Sequence, residues 1–425
     1  MNRASTFTYD GLSADGSSLS GHYSLDGVAF RERVDVDGAD FSQPAQLALG
    51  ELWYLIAGLS YYKAGAAHHI NLGDTPVGPH GRALFEAALH DGLGEYAFRN
   101  QIILDDVTIS GGSSFSPSPY RAPHERVLIP FGGGIDSCVS VRSLDHLERT
   151  LFVMSPASGR FAPLEATAAV SGLPIARATR TLDLEALRFS PAFFNGHVPV
   201  TTMVTILACL SAVAHGLGGV VMSNEHSSSA PNLVWRGRDV NHQWSKSAAA
   251  EVLIAEAVAE RIGDEFTVAS FLRDRSELWV AQQFADDTAA HHVFRSCNRA
   301  FAQQTQDRAS AWCGECDKCL FINLILAPFL SRTTLAEIFG SEPLANVALT
   351  DQLATLVGLG LDNKPFECVG DPDESAVALV EIAQRPEWAD VAHLRALAQR
   401  VSPDRSLSEL LAPLGGSRVP AHWLS

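Results

Sequence analysis

Between positions 126 and 143 the chain reads RVLIPFGGGIDSCVSVRS, an apolar run, then three glycines, an acid and a hydroxyl. Three adjacent glycines cost conformational entropy unless the backbone must turn sharply or approach a ligand closely. The surrounding pattern narrows the fold. TLFVMSP, LPIARAT and the segment near 219–223 read as strands, and APLEATAAVSG, the apolar stretch near 199–214 and SAAAEVLIAEAVAERIG (247–263) read as the helices between and after them. Strands alternating with helices predict an α/β fold with a doubly wound parallel sheet. In such a sheet the ligand crevice lies at the carboxyl ends of the strands, which is where GGGIDS falls. Free N–H groups at the start of the following helix suit an anion, and phosphate is the natural candidate. The loop is neither G-x-G-x-x-G nor G-x-x-x-x-G-K-[ST], so a dinucleotide fingerprint and a Walker loop are both unsupported.

Upstream, residues 7–37 alternate apolar and polar positions around DG turns, the signature of short antiparallel strands. Helical spacing follows at 46–66 and 81–100, then a Ser/Pro/Gly-rich linker at 110–123. From about residue 340 the chain looks helical. These shifts predict an N-terminal α+β module (1–110), an α/β domain carrying the glycine loop (124–290), a four-cysteine segment (291–330) and a helical C-terminal region (331–425). With 48 acidic against 31 basic residues the net charge is −17, which disfavours a nucleic-acid footprint. The first residues lack a signal-peptide core, so a cytoplasmic protein with reduced thiols is expected. Residues 200–222 carry no full charge and are long enough to span a bilayer, but HGLGG at 215–219 splits them into a buried helix and a short strand.

Four of the seven cysteines, Cys297, Cys313, Cys316 and Cys319, fall in one C-x15-C-x2-C-x2-C run. Four thiolates can surround a tetrahedral zinc at about 2.3 Å per sulfur, and an iron–sulfur cluster is the rival occupant. Cys138, Cys209 and Cys368 stand apart and read as buried free thiols. Polar groups concentrate just past core elements in FFNGHVPVTT (193–202) and SNEHSSSAPNLVWRGRDVNHQWSKS (223–247). Asn224 and Glu225 follow a strand and should project at the sheet edge that carries the glycine loop.

GGGIDS resembles the PP-loop of the ATP pyrophosphatase superfamily, S-G-G-x-D-S, with Gly132 in place of the first serine. By that resemblance Gly132, Gly133, Gly134, Asp136 and Ser137 bind the phosphates of ATP, and Asp136 faces Mg2+. LIAGLSYYKA (55–64), GLGEYAFRN (92–100), NGHVPVT (195–201), NHQWSKS (241–247), FRSCNRAF (294–301), WCGECDKC (312–319) and KPFECVG (364–370) extend the likeness. Together they resemble the UDP-N-acetyl-α-D-muramoyl-L-alanyl-L-glutamate epimerases of peptidoglycan precursor synthesis. The resemblance implies adenylation of the terminal L-glutamate, inversion at its α-carbon, and hydrolysis to the D-epimer with release of AMP and pyrophosphate. It also implies a small nucleotide-sugar peptide as substrate, with no nucleic-acid or membrane partner. Glu225, His242 and Lys246 are the candidates for moving the proton, with Lys63 and Glu95 behind them. Lys63, Arg99, Asn195, His197, Asn224 and Asn241 are the candidates for holding substrate. Another PP-loop adenylating enzyme, such as an amide-forming ligase, is the competing reading.

Overall fold

The computed structural model describes residues 2–188, 193–297, 299, 311–360 and 364–424. The chain opens with a meander of β1 (Thr6–Asp15), β2 (Ser18–Leu25) and β3 (Val28–Val36). Asp26 and Gly27 close the β2–β3 hairpin with φ of +47° and +87°, the left-handed pair that a two-residue turn between twisted strands requires. β4 (His69–Asn71) and β5 (Thr108–Ser110) follow, then β6 (Arg126–Pro130), β7 (Glu148–Pro156), β8 (Ile175–Thr181) and β9 (Gly219–Met222). A small hairpin, β10 (Leu233–Trp235) and β11 (Arg238–Val240), precedes β12 (Thr267–Ser270).

Ten of these strands form one sheet in the order β12-β9-β6-β7-β8-β3-β2-β1-β4-β5. The five-strand half from β12 to β8 is parallel throughout and starts from β6 in both directions, a doubly wound order. Both faces are covered, as parallel sheets require. Leu128 and Val220 point into one apolar core, and Val127, Ile129 and Val221 point into the other. The first core contains the helices Pro44–Ala57, Val200–Ala214 and Ala248–Ile262; the second contains Ile135–Ser143, Glu277–Ala285 and Asp317–Leu326.

The sheet is mixed: the expected parallel strands form one half, and the expected antiparallel N-terminal strands are joined to it rather than forming a sheet of their own. β3 pairs antiparallel with β8, so the N-terminal strands continue the α/β sheet. The physical reason is that β8 would otherwise end the parallel half with an open edge of unpaired N–H and C=O groups. A buried ion pair, Arg180 Nε to Glu32 Oε1 at 2.6 Å, sits on this seam. The uncharged stretch from 200 forms a 15-residue helix and then β9, and no described helix is long and apolar enough to cross a membrane. Past residue 311 the described segments are helical, with Trp388 and Trp423 buried in the second core.

Candidate active site

β6 and β9 are neighbours whose connections leave in opposite directions, so the loops after them diverge and open a crevice. Gly132 and Gly134 from one loop and Ser223 and Asn224 from the other line a cavity of about 430 Å³. Gly133 adopts φ of +74°, which accounts for one glycine. A Cβ at Gly134 would lie 2.7 Å from Ser296 Oγ, which accounts for the second. A Cβ at Gly132 would meet nothing within 4 Å. Gly134→Ala should therefore lower stability by about 0.5–1.5 kcal/mol as the Ser296 hydroxyl is turned aside, whereas Gly132→Ser should stay within about 0.5 kcal/mol. Denaturant midpoints of the two variants check this; equal losses would contradict the packing.

Asp136 lies in the first turn of the helix Ile135–Ser143, and its Oδ1 is buried with no hydrogen-bond partner among the described residues. Burial, then the charge of Glu225, pushes its carboxyl up to about 6 against the pull of Lys318 and Lys246. The Ser137 hydroxyl donates to the Gly134 carbonyl at 3.0 Å and so stiffens the loop. Asn224 lines the cavity, its backbone N–H held by Ser270 Oγ at 2.6 Å. Glu225 is buried beside the cavity without lining it, and its Oε2 has no hydrogen-bond partner among the described residues.

Lys246 lines the cavity with Nζ 3.7 Å from Cys368 Sγ. The Cys368 charge, opposed by burial, holds this ammonium well above the ordinary lysine value. Burial works against the Cys368 thiolate, yet Lys246, His242 and Lys318 together bring the thiol down to about 6. His242 bridges outward: Nδ1 is 2.5 Å from Glu95 Oε2, and the ring also hydrogen-bonds Cys368. Against burial, these two bonds raise the imidazole to about 9.

Around that histidine stand other residues chosen from sequence. The His197 ring centroid is 4.4 Å from that of His242, and burial followed by the His242 charge lowers His197 to about 4. Lys63 Nζ donates to Asn195 Oδ1 at 2.9 Å and to the Gly196 carbonyl at 3.1 Å. Arg99 donates to Glu95 Oε1 at 2.6 Å and lies over the Phe366 ring. Asn241 is spent locally, its amide donating to the Ser228 carbonyl and accepting from the Gln243 N–H. Glu95, His197 and His242 are close enough to share a cation. Instead the Nδ1 of His242 is taken up by Glu95, and the ring is held protonated.

Cys368 is the group that sequence reasoning passed over as a buried thiol. Its segment is fixed from three sides: Asn232 donates to the Pro365 carbonyl at 2.6 Å, Gln243 donates to the Val369 carbonyl at 3.2 Å, and the Lys318 N–H donates to Glu367 at 3.2 Å. The available signal was KPFECVG itself, one of the segments that carried the resemblance. Cys138 and Cys209 are buried thiols pushed far up by burial. The other four cysteines converge, with Cys313–Cys319 and Cys297–Cys316 sulfurs 3.5 and 3.9 Å apart and all four within 4.8 Å of one another. Thiolates about 2.3 Å from one tetrahedral ion would stand about 3.8 Å apart.

Comparison with known proteins gives a consistent result. A family model described as the MurL N-terminal domain matches residues 1–271, and one described as the MurL C-terminal domain matches residues 293–410. A protein of Salinispora tropica named UDP-N-acetyl-alpha-D-muramoyl-L-alanyl-L-glutamate epimerase is 38% identical over 383 residues, covering 88% of this chain and 82% of the relative. One of the same name from Xanthomonas oryzae pv. oryzae is 33% identical over 419 residues, covering 94% and 92%. No solved structure matches. Matched in both its N-terminal and C-terminal parts, the chain belongs to the UDP-N-acetyl-α-D-muramoyl-L-alanyl-L-glutamate epimerase family and is an isomerase.

Proposed function

We propose that the chain inverts the terminal L-glutamate of UDP-MurNAc-L-Ala-L-Glu in an ATP-dependent reaction that passes through an acyl adenylate and releases AMP and pyrophosphate. The observation that carries this reading is the cavity at the β6–β9 switch point, with a glycine loop and helix N-terminus on one side and Lys246, Lys318 and Arg295 facing it. That lining suits a polyphosphate. The PP-loop relationship belongs to the same proposal, and the open space at Gly132 is compatible with the serine usual there.

ATP has a chemical purpose in this reaction. Removing a proton beside an ionised carboxylate would build a second negative charge on it, whereas an adenylated carboxyl is neutral at that carbonyl and can take up the electron pair. The unpartnered Asp136 Oδ1 suits Mg2+, a hard cation that would supply charge neutralisation at the phosphates. The sulfur spacing suits a structural Zn2+. Lys63, Arg99, Asn195 and His197 form the polar wall beside the cavity and are proposed to orient the peptide or sugar. Both ATP and the nucleotide-linked precursor point to the cytoplasm as the place of reaction.

Incubation with the L-epimer, ATP and Mg2+ in heavy water should yield the D-glutamyl product carrying deuterium at the α-carbon, together with AMP and pyrophosphate. Formation of ADP, or a product without deuterium, would be incompatible with this reading.

A further inference from the structure

We propose that Cys368 is a catalytic residue whose thiolate transfers the α-proton on one face of the substrate's glutamyl residue, with His242 and Glu95 as positioning residues behind it. The proposal rests on the epimerase reading and deepens it.

Among the described residues that line the cavity, only Asp136 and Cys368 are anionic groups able to accept a proton. Asp136 stands in the glycine loop, at the position suited to the phosphates and their cation. Lys246 and His242 are held in their protonated forms by the thiolate and by Glu95, so neither is a base in the resting protein. Glu225 does not reach the lining. Cys368 remains, at the seam between the nucleotide cavity and the polar wall of Lys63, Asn195 and His197. A substrate whose activated carboxyl lies over the glycine loop and whose peptide runs along that wall would pass it.

The Glu95–His242–Cys368 chain has the logic of a nucleophile or base held by a histidine that is itself oriented by an acid. Here the thiolate lone pair takes the α-proton, the C–H pair moves into the acyl carbonyl, and the S–H bond forms. Reprotonation on the opposite face returns the pair to carbon. Lys246 sits on the thiolate's own side, 3.7 Å from its sulfur, so Lys318 is the ammonium in the lining left to protonate the other face. The charges facing the sulfur are Lys246, His242 and Lys318, which favour the thiolate, and Asp136, which opposes it. The thiol titrates at about 6, so the proton-accepting form persists above that pH and is lost below it.

In the full-length Cys368→Ser variant, deuterium entry at the glutamyl α-carbon should fall by at least about 100-fold while AMP and pyrophosphate still form. Exchange within about threefold of wild type would overturn the proposal, and so would a folded variant that loses adenylation to the same extent as exchange. A second variant keeps the test decisive if the serine protein fails to fold. His242→Gln removes a charge that favours the thiolate, so the acid limb of the exchange rate should move to higher pH, and an unmoved limb would overturn the proposal. The wild-type protein separates the two readings. If it releases no AMP and exchanges no deuterium with this substrate, the epimerase reading fails; if it does both, only the variants judge Cys368.

Discussion

Asp136→Asn is expected to lower AMP and pyrophosphate formation by about 10²–10³-fold while leaving the melting temperature unchanged or higher. The two effects have one cause. The carboxyl is buried, its Oδ1 has no hydrogen-bond partner among the described residues, and burial with Glu225 holds it at about 6. An acid whose folded value exceeds its unfolded one binds protons more tightly in the folded chain, so its ionisation removes stability as pH rises from about 4 to about 6. At neutral pH the folded protein carries this burden, and a neutral isostere relieves it. A carboxylate kept charged against the preference of the fold is expected where a cation or phosphate site needs it. Thermal melts and AMP quantification on the same preparation decide the matter. Wild-type AMP formation, or a melting temperature that falls, would show that Asp136 is structural.

Removal of the proposed zinc should have the larger effect on stability. Cys297 and Cys319 are buried in the second core with Phe294, Trp312 and the helix Asp317–Leu326, and Cys313 and Cys316 pack against it. A thiophilic chelator, or Cys316→Ser, should lower the apparent melting temperature by on the order of 10 °C, because binding energy at such a site is folding energy. Elemental analysis should return about one zinc per chain. Iron in its place would assign a cluster, and an unchanged melt after complete metal removal would show that the four thiols stand without one. Because Lys318 lies between Cys316 and Cys319 and also lines the cavity, partial metal loss should weaken nucleotide binding before the whole chain unfolds.

Much of the parallel half was legible because its signals are local. RVLIP followed by GGG and IDSCVSVRS announces strand, loop and helix within eighteen residues, and the glycine at 263 marks a helix end. The β3–β8 pairing was not legible, since two strand edges leave no mark of which distant edge they will meet. Among site residues, density gave the useful hint. The crowded 193–202 and 223–247 loops supplied His197, His242 and Lys246, which the fold brings beside Lys63 and Glu95 from the N-terminal module. Density also drew in Asn241, whose amide is taken up inside its own loop. Cys368 was missed for a chemical reason. A single cysteine away from the other thiols reads as a small hydrophobe, and only the arrival of Lys246 and His242 from another part of the chain lowers its thiol.

The seam between β3 and β8 also bears on how the chain is made. Arg180 meets Glu32 across 148 residues of sequence, so the ribosome delivers the three-strand meander long before the strand that covers its edge. At about 5–20 residues per second the edge of β3 stays uncovered for roughly 7–30 s, far longer than hairpin closure takes. An exposed strand edge over that interval invites pairing with a neighbouring nascent chain. Arg31, Arg33 and Asp35 alternate with the inward-facing Phe30, Glu32 and Val34, giving the waiting strand a charged outer face. Those three charges touch neither the cavity nor the polar wall, and charged side chains of this kind disfavour pairing of an uncovered strand edge with another chain.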